Sequence, residues 1–321
     1  MERPTVDVPL DRMSPAKETA ARLEELVSQS RMQLSIAASA GRVAMKDQLM
    51  FETAAELQKW VNTGIVDFLE IFAGYGQLTV EVRKLGLVAG EGIDKRMHSY
   101  GRPWPLEQPN ASNALAWLIA EGLRPRCVHT GTPCTHLCVI GNREGKEDTA
   151  ELIKMAIFIA KRQETYGLLF TNENPCGSSL HGRPEWVKAL GEARKPKGRW
   201  RYAQTTGCQL GLACPAERTS GSNTNGMKVL GRPIQKHQLW MSSFDLSPMI
   251  RECRPAFALK PATHEHQHAR GTMKMPDGKW VPIAEYTGRY TAVLGAVSAR
   301  CLRIGLESVR VADATDRSKK T

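Results

Sequence analysis

Two short segments of the chain carry side chains that are suited to covalent chemistry. One is Pro133-Cys134 and the other is Glu173-Asn174, and each follows a short apolar run. A thiolate is a strong nucleophile, and a nearby carboxyl group donates a proton or a hydrogen bond to the group under attack. The alternatives are a Cys134 thiol that is merely buried and a Glu173 carboxylate that pairs with an arginine. In either case Asn174 is expected to order its loop through hydrogen bonds to the backbone.

A glycine-containing turn follows the first apolar run of the chain, 66–72. Glycines in such a turn let the backbone approach a ligand, and the next helix begins with free N–H groups. About twenty residues later an acidic residue follows a second run, where nucleotide-binding sheets hold a ribose. The turn lacks the third glycine of the dinucleotide fingerprint, which argues against NAD. The candidate cofactor-binding residues are Phe72, Gly74, Tyr75 and Gly76 in the turn, and Asp94 or Glu91 after the second run.

Short apolar runs alternate with helical stretches through the middle of the chain. The runs are 66–72, 87–93, 127–130 and 168–171, and the helical stretches between them are 78–85, 112–121 and 148–164. This alternation predicts an α/β fold with a parallel sheet and helices on both faces. Ligand sites in such sheets lie at the carboxyl ends of the strands, so all the candidate residues above are expected at one edge.

Four motifs occur in order between about residues 65 and 210. They are DFLEIFAGYGQLT (67–79), EGIDKR (91–96), GTPCT (131–135) and NENP (172–175). In sequence and order they resemble the cytosine-5 DNA methyltransferase family, and the chain is similar to its divergent members of mobile-element or viral type. The resemblance implies a class I methyltransferase domain with a Rossmann-like sheet, which binds S-adenosylmethionine and flips its target base out of the DNA duplex.

The same resemblance implies roles for individual residues. Cys134 would be the nucleophile, which requires a thiol pKa below its ordinary value, and Glu173 would be the acid that acts at N3 of cytosine. Thr135 and Pro175 stand where the family usually has Gln and Val, and no arginine-bearing QxR strand follows. Methyl transfer to RNA or to another base position, and a catalytically silent nucleic-acid-binding fold, therefore stay open as alternatives. The residues implied for the cofactor are Phe72, Gly74 and Gly76, with Asp94 or else Glu91 at its ribose.

Composition divides the chain into four predicted parts. Residues 1–64 form an N-terminal arm and helices, and 65–210 form the S-adenosylmethionine-binding catalytic domain. Residues 211–285 form a short target-recognition or insert region, because 214–233 are rich in Gly, Ser, Thr and Asn. Residues 286–321 form a helix that returns to the core and a polar tail. No chemistry is expected in the first part.

The chain is basic, with 44 Lys and Arg against 33 Asp and Glu and a formal net charge of +11. Such an excess favours a polyanionic partner, and together with the motifs it indicates nucleic acid, in particular DNA. Basic residues interleaved with Trp and Tyr would contact phosphates, although charge runs are also typical of a solvated face. The candidates are Arg183, Lys195, Lys197, Arg199, Arg201 and Lys236.

The sequence argues against a membrane or secreted protein. No apolar run approaches the roughly 20 residues that a bilayer requires, and the first residues lack the apolar stretch of a signal peptide. The eight cysteines include no CxxC pair. In a chain of this length we interpret them as reduced thiols, and we expect an intracellular location in the cytoplasm or nucleus.

One further segment contains residues of the metal-ligating type. Cys253, His264 and His266 carry the thiolate and imidazole groups that zinc prefers, and Cys208 or Cys214 is available as a fourth ligand. The interval between Cys253 and His264 matches no standard zinc finger. The sequence alone therefore favours a polar loop, whose histidines contact phosphates or one another, over a zinc site.

Overall fold

The computed structural model describes residues 57–58, 61–62, 64–134, 137–138, 146–193, 195–222, 227–250, 253 and 266–318. For residues 146–148 and 310–318 it describes the helical backbone only. The predicted N-terminal helices before residue 57, Thr135 and His264 lie outside these ranges. The described residues fall into two compact units. The smaller contains Gln108–Leu123 and the described residues before Gly64, and the larger contains Gly64–Glu107 and the residues from Arg124 onward.

The first half of the described chain contains both strands and α-helices, and a run of nine strands then precedes two C-terminal helices. The strands are β1 (Phe68–Ile71), β2 (Cys127–Thr130), β3 (Leu169–Pro175), β4 (Gly191–Glu192), β5 (Lys195–Pro196), β6 (Arg201–Thr206), β7 (Thr219–Ser220), β8 (Ile234–Gln235), β9 (His237–Ser242), β10 (Gln267–His268), β11 (Thr272–Lys274) and β12 (Trp280–Pro282). The helices are α1 (Gln77–Lys84), α2 (Pro109–Trp117), α3 (Lys146–Thr165), α4 (Pro184–Leu190), α5 (Ile283–Tyr286) and α6 (Ala292–Ser318). None of the described helices has the length and apolar character needed to cross a membrane.

The main sheet of the larger unit has five strands in the order β1-β2-β3-β9-β6. The first three strands are parallel, and β9 is antiparallel to both β3 and β6. The register aligns Ile71 with Thr130 and Thr130 with Asn172, so the carboxyl ends of the three parallel strands lie at one edge. The predicted α/β class is confirmed. The sheet is mixed rather than purely parallel, because β9 enters it in the reverse direction.

The predicted second strand, 87–93, does not form a regular strand. Ala89 and Ile93 each make one isolated parallel bridge to β1. Gly92 lies between them, and a β-carbon on this residue would come within 2.7 Å of the Ala73 Cβ. The segment thus passes too close to the glycine turn to carry a side chain there, and glycine weakens regular strand structure.

The parallel strands are buried along nearly their whole length. Phe68, Cys127 and Leu169 are aligned across them and belong to one apolar cluster with α1 and α6. Burying a large apolar side chain of this kind stabilises a fold by about 1.5–3 kcal/mol. Helix α3 packs against β2 and β3. The helical members of the cluster include Leu78 and Val82 of α1 and Leu294, Leu302 and Leu306 of α6.

A second core lies in the region that was predicted as the recognition or insert region. We name the described residues 211–235 and 266–286 the small lobe. In it, β11 pairs antiparallel with β7 and β12, and β8 pairs with β10 over two residues each. The recognition role of this region stays a prediction. The buried members of its core are Leu212, Cys214, Ala216, Val229, Ile234, Met273 and Ile283.

The smaller unit is described mainly through α2. Pro109 begins this helix, which suits proline because the first N–H of a helix has no helical partner. A π-helical turn over Leu118–Gly122 continues the helix. The predicted helix 112–121 therefore begins earlier than expected and changes to a wider turn before it ends.

A buried carboxyl group lies in β1. Glu70 is 1% exposed, and its Oε2 accepts hydrogen bonds from the Thr79 N–H at 2.8 Å and from the Thr79 hydroxyl at 2.6 Å. Its Oε1 has no hydrogen-bond partner among the described residues. Burial raises the pKa of Glu70 from its ordinary 4.5 to about 7.

We expect Glu70→Gln to stabilise the protein more at pH 8 than at pH 5. The stability that this carboxyl contributes is present below its unfolded pKa and is lost as the pH rises toward 7, because the folded state must then bury a charge. The substitution removes that loss, so the gain in unfolding free energy should grow by up to about 3 kcal/mol across this interval. Urea unfolding at both pH values measures it. Glu151→Gln removes an exposed carboxyl group that pairs with Lys154 and is the control. If Glu70→Gln changed the unfolding free energy equally at the two pH values, the prediction would be contradicted.

Candidate active site

A cleft of about 360 Å³ opens at the carboxyl ends of β1 and β2. From β1 the chain passes to the 87–93 segment on one side of that strand and later enters β2 on its other side. Ligands of open α/β sheets bind where the strand order reverses in this way, and the volume is within the range of small-molecule sites. The lining includes Phe72 and Gly74 from the glycine turn, Asp94, Trp104 and Leu106, and Gly131 and Pro133.

The turn after β1 has an unusual backbone. Phe72, Gly74 and Gly76 have φ angles of 58°, 57° and 66°. Glycine adopts this left-handed conformation readily, but a bulky residue such as Phe72 is strained there by about 1–3 kcal/mol. The Gly74 N–H donates to Asp94 Oδ2 at 2.9 Å, and the Arg96 N–H donates to Asp94 Oδ1 at 2.9 Å. The Asp94 carboxylate therefore fixes the turn at the mouth of the cleft.

The structure separates the acidic candidates for a ribose contact. Asp94 lines the cleft, and each of its oxygens retains a lone pair for a further hydrogen bond. Glu91 is exposed and does not line the cleft in the described part of the chain. Its Oε2 accepts from the Tyr100 N–H at 2.8 Å instead. Tyr75 also lies outside the cleft, with the Arg289 guanidinium 3.8 Å from the centre of its ring.

A smaller cavity of about 60 Å³ adjoins the cleft and shares Phe72, Gly74 and Gly131 with it. Glu173 lines this cavity, although only 7% of the residue is exposed. The Tyr290 hydroxyl donates to Glu173 Oε2 at 3.0 Å, whereas Oε1 has no partner among the residues described. An unsatisfied buried oxygen costs about 1–3 kcal/mol, and this one lies at a cavity that has room for water or a ligand to complete its hydrogen bonding.

The other catalytic candidate, Cys134, has a perturbed thiol. A hydrogen bond from the Cys138 thiol, which stabilises the thiolate, is the largest cause that lowers the pKa of Cys134 to about 7. Burial and the Glu173 carboxylate oppose this effect, and the Lys236 ammonium reinforces it. Cys138 itself retains its proton, since its pKa is raised. Cys134 and Glu173 thus lie close enough to influence each other electrostatically.

Two asparagines of β3 hold the loop that carries Pro133 and Cys134. Asn174 Nδ2 donates to the Thr132 carbonyl at 2.6 Å, and Asn172 Nδ2 donates to the Thr132 hydroxyl at 3.0 Å. Side chains alternate across a strand, so both asparagines face away from the side on which Glu173 lies. Asn174 is expected to order its loop, and in the structure it does so through a hydrogen bond from the end of β3 to the loop that follows β2.

Sequence reasoning missed a second layer around Glu173. The Tyr290 hydroxyl lies 3.0 Å from His129 Nε2, and because it donates its only hydrogen to Glu173, the histidine Nε2–H is the donor to Tyr290. Burial lowers the pKa of His129 to about 3, which keeps the ring neutral. The three side chains form a buried chain of hydrogen bonds. A histidine within the apolar run 127–130 was the one local signal of it, and nothing local marked Tyr290.

Most of the basic candidates lie toward the edge of the sheet opposite the site. Strand β6 runs parallel to β3, since both are antiparallel to β9, so Arg201 begins β6 at the amino edge. Lys195, Lys197 and Arg199 precede it. Burial raises the pKa of Cys127 at the start of β2, and Arg199 is close enough to oppose that shift in part. These four residues are close together in sequence. Because β6 begins at the amino edge, they lie away from the catalytic candidates at the carboxyl edge.

Lys236 is the basic candidate that the structure brings to the site. Its Nζ donates to the Thr287 carbonyl at 2.7 Å, and its charge lowers the pKa of Cys134. Arg183 precedes α4 and lies 3.5 Å from the Glu185 carboxylate. The six predicted nucleic-acid contacts are therefore spread over different parts of the larger unit.

The metal-ligating candidates are partly brought together. Cys253 and His266 meet Cys208, and their ligand atoms all lie within 4.8 Å of one another. Cys214 is not in this group, and its thiol donates to the Ala216 carbonyl at 3.7 Å. His264 lies outside the described residues. None of the eight cysteines is in a disulfide.

We expect Cys134 to be alkylated faster than Cys176 at pH 7.5, although Cys176 is the more exposed thiol. The reason is that the hydrogen bond from Cys138 lowers the pKa of Cys134 to about 7. Although the Cys176 residue is exposed, partial desolvation by its neighbours and the Glu173 carboxylate raise the pKa of its thiol to about 11. Iodoacetamide labelling followed by peptide mass spectrometry measures both rates in one sample. Cys138→Ala should slow labelling of Cys134 several-fold at pH 7, because it removes the stabilising donor. Faster labelling of Cys176, or no effect of Cys138→Ala, would show that the thiolate is not stabilised in this way.

Comparison with known proteins gives no family for this chain. No protein-family model matches it, and no curated protein matches it.

Proposed function

We propose that this protein transfers a methyl group from S-adenosylmethionine to C5 of cytosine in DNA. One observation carries the proposal. Cys134, a thiol with a lowered pKa, directly follows Pro133 of the cleft lining. It lies close enough to the buried Glu173 carboxyl group, which has an unpartnered oxygen at the adjoining cavity, for the two to interact electrostatically. A nucleophile and an acid close to one another are what addition to a cytosine ring requires.

The strand arrangement supports a Rossmann-like methyltransferase sheet. Three parallel strands and the bridged 87–93 segment lie in the order expected of a doubly wound sheet, with the reversal next to β1. Helices α1 and α6 cover one face through a common apolar cluster, and α3 packs against β2 and β3. The four motifs that resemble cytosine-5 DNA methyltransferases fall on this part of the structure.

The cleft fits a nucleoside-type cofactor. Asp94 retains acceptor capacity for ribose hydroxyls, and Phe72, Trp104 and Leu106 provide apolar surface for a flat base. When bound, S-adenosylmethionine supplies an electrophilic methyl group on a positively charged sulfur. The glycine turn brings the backbone to the cleft, and the cavity of Glu173 opens beside it.

The residues of the chain suggest a consistent order of steps. The Cys134 thiolate adds to C6 of a flipped-out cytosine, and a carbon–sulfur bond forms while negative charge develops on the ring. Glu173 supplies a proton or hydrogen bond at N3 through its unpartnered oxygen and stabilises that charge. C5, activated in this way, would accept the methyl group that S-adenosylmethionine supplies when it is held in the cleft. A base removes the C5 proton, and the bond between C6 and Cys134 breaks to release the thiolate.

The proposed substrate agrees with the charge of the chain. A formal net charge of +11 favours association with a polyanion. Lys236 is the basic residue whose charge helps to lower the pKa of Cys134. Because the reaction needs a reduced thiol, we place this activity in the cytoplasm or nucleus.

The proposal is tested with labelled S-adenosylmethionine on duplex DNA, single-stranded DNA and RNA, followed by mass spectrometry of the nucleosides. We expect 5-methylcytosine in DNA, its loss in Cys134→Ala, and a rate at least roughly 100-fold lower in Glu173→Gln. Cys176→Ala, at an exposed thiol, is the matched control and should be close to wild type.

Three outcomes would contradict this proposal in different ways. Methylation retained by Cys134→Ala would exclude the covalent route, and a methylated RNA or another methylated base would change the substrate. Absence of methyl transfer together with absence of cofactor binding by calorimetry would favour a silent nucleic-acid-binding fold.

We expect Tyr290→Phe to lower kcat by roughly 10-fold to 100-fold without changing cofactor affinity, because Glu173 loses its only hydrogen-bond donor in the described structure. Tyr290 is a positioning residue in this account, so the separation of kcat from cofactor Kd is the informative measurement. Tyr202→Phe is the control, since that hydroxyl donates to the Gly191 carbonyl at 3.2 Å away from the site. Equal effects of the two substitutions would indicate a general loss of stability instead.

A further inference from the structure

Three residues far apart in sequence present a nitrogen and two sulfurs to one another. His266 Nε2 lies 3.2 Å from Cys253 Sγ and 3.3 Å from Cys208 Sγ. All three residues are half-buried, and their ligand atoms all lie within 4.8 Å of one another. We name Cys208, Cys253 and His266 the Cys₂His cluster.

Hydrogen bonding alone does not account well for the Cys₂His cluster. An imidazole Nε2 carries either one hydrogen or one lone pair, so it makes one good hydrogen bond and not two. Here two sulfurs approach the same nitrogen at almost equal distances. Thiols are also weak donors and acceptors, which gives little reason for three such groups to gather.

The distances agree with those of a metal site. For tetrahedral zinc with bonds of about 2.3 Å to sulfur and about 2.0–2.1 Å to nitrogen, the ligand atoms are separated by about 3.6 Å. The observed nitrogen–sulfur separations are a few tenths of an ångström shorter. Small movements of the side chains therefore suffice to seat an ion.

We propose that the Cys₂His cluster binds a Zn²⁺ ion through Cys208 Sγ, Cys253 Sγ and His266 Nε2. Two thiolates and one imidazole are ligands that zinc favours, whereas magnesium and calcium prefer oxygen. The ion releases the thiol protons on binding and holds both sulfurs as thiolates. The fourth coordination position accepts a further ligand beyond these three.

The position of the cluster indicates a structural role. Cys208 lies in the turn directly after β6 of the main sheet, and His266 directly precedes β10 of the small lobe. Strand β10 is held to β8 over two residues only, and the apolar core of the lobe is small. Small cores commonly need a metal or disulfide to be stable. The ion would fasten the small lobe to the end of the sheet.

The test uses the full-length chain, purified without chelator and analysed for metal by inductively coupled plasma mass spectrometry. We expect about one zinc per chain, and its loss in Cys208→Ala, Cys253→Ala and His266→Ala. Cys214→Ala is the matched control, because this thiol lies in the small lobe but bonds to the Ala216 carbonyl. It should keep its zinc.

A second measurement on the unmodified protein keeps the proposal testable if the variants fold poorly. Cobalt added to the metal-free chain should give a thiolate-to-cobalt charge-transfer absorption of tetrahedral type, and a chelator should lower the Tm of the zinc-loaded chain. The proposal would be overturned if the wild-type chain retained no zinc after incubation with zinc. It would also be overturned if the metal-free chain gave no cobalt–thiolate absorption. These readouts do not depend on methyl transfer, so they stand or fall separately from the proposed activity.

Discussion

The candidate active site depends on the register between three short parallel strands that are buried along nearly all their length. Side chains alternate across a strand, so a shift of β3 by one residue would move every side chain to the other face. In the observed register Glu173 faces Tyr290, while Asn172 and Asn174 reach across to Thr132. The apolar residues that fix this register are therefore also what positions the acid and the loop of Cys134.

Buried polar groups lie on the face of the sheet that α1 and α6 cover, and the free energy of burying them must be offset by apolar packing. Glu70 and His129 are aligned in the sheet, and Tyr290 and Glu173 continue the polar group toward the carboxyl edge. In such surroundings a paired group is held firmly and an unpaired one is costly. Three atoms of this polar group have no hydrogen-bond partner among the described residues, and their burial therefore costs the most free energy. They are Glu70 Oε1, His129 Nδ1 and Glu173 Oε1. Only Glu173 lines one of the cavities described above.

The two edges of the sheet have different surroundings. The basic residues around β5 and the start of β6 are at the amino edge, whereas Lys236 and the turn with Cys208 are at the carboxyl edge, where β6 ends. For the proposed DNA substrate, phosphate contacts near the target base would come from Lys236 and the small lobe rather than from 195–201. Fastening the lobe to the sheet by a metal ion would keep that surface at a constant distance from Cys134.

The sequence by itself determined the α/β class, because apolar runs and helical periodicity are local patterns that follow from burial. It also marked the turn after β1 and the loops of Cys134 and Glu173, since special backbone and reactive side chains occur there in short motifs. Only the tertiary structure selected Asp94 over Glu91 for the cleft, brought Tyr290 to Glu173, joined Cys208 to His266 and moved 195–201 away from the site. These outcomes depend on strand direction and on contacts between distant residues, which no local pattern in the sequence encodes.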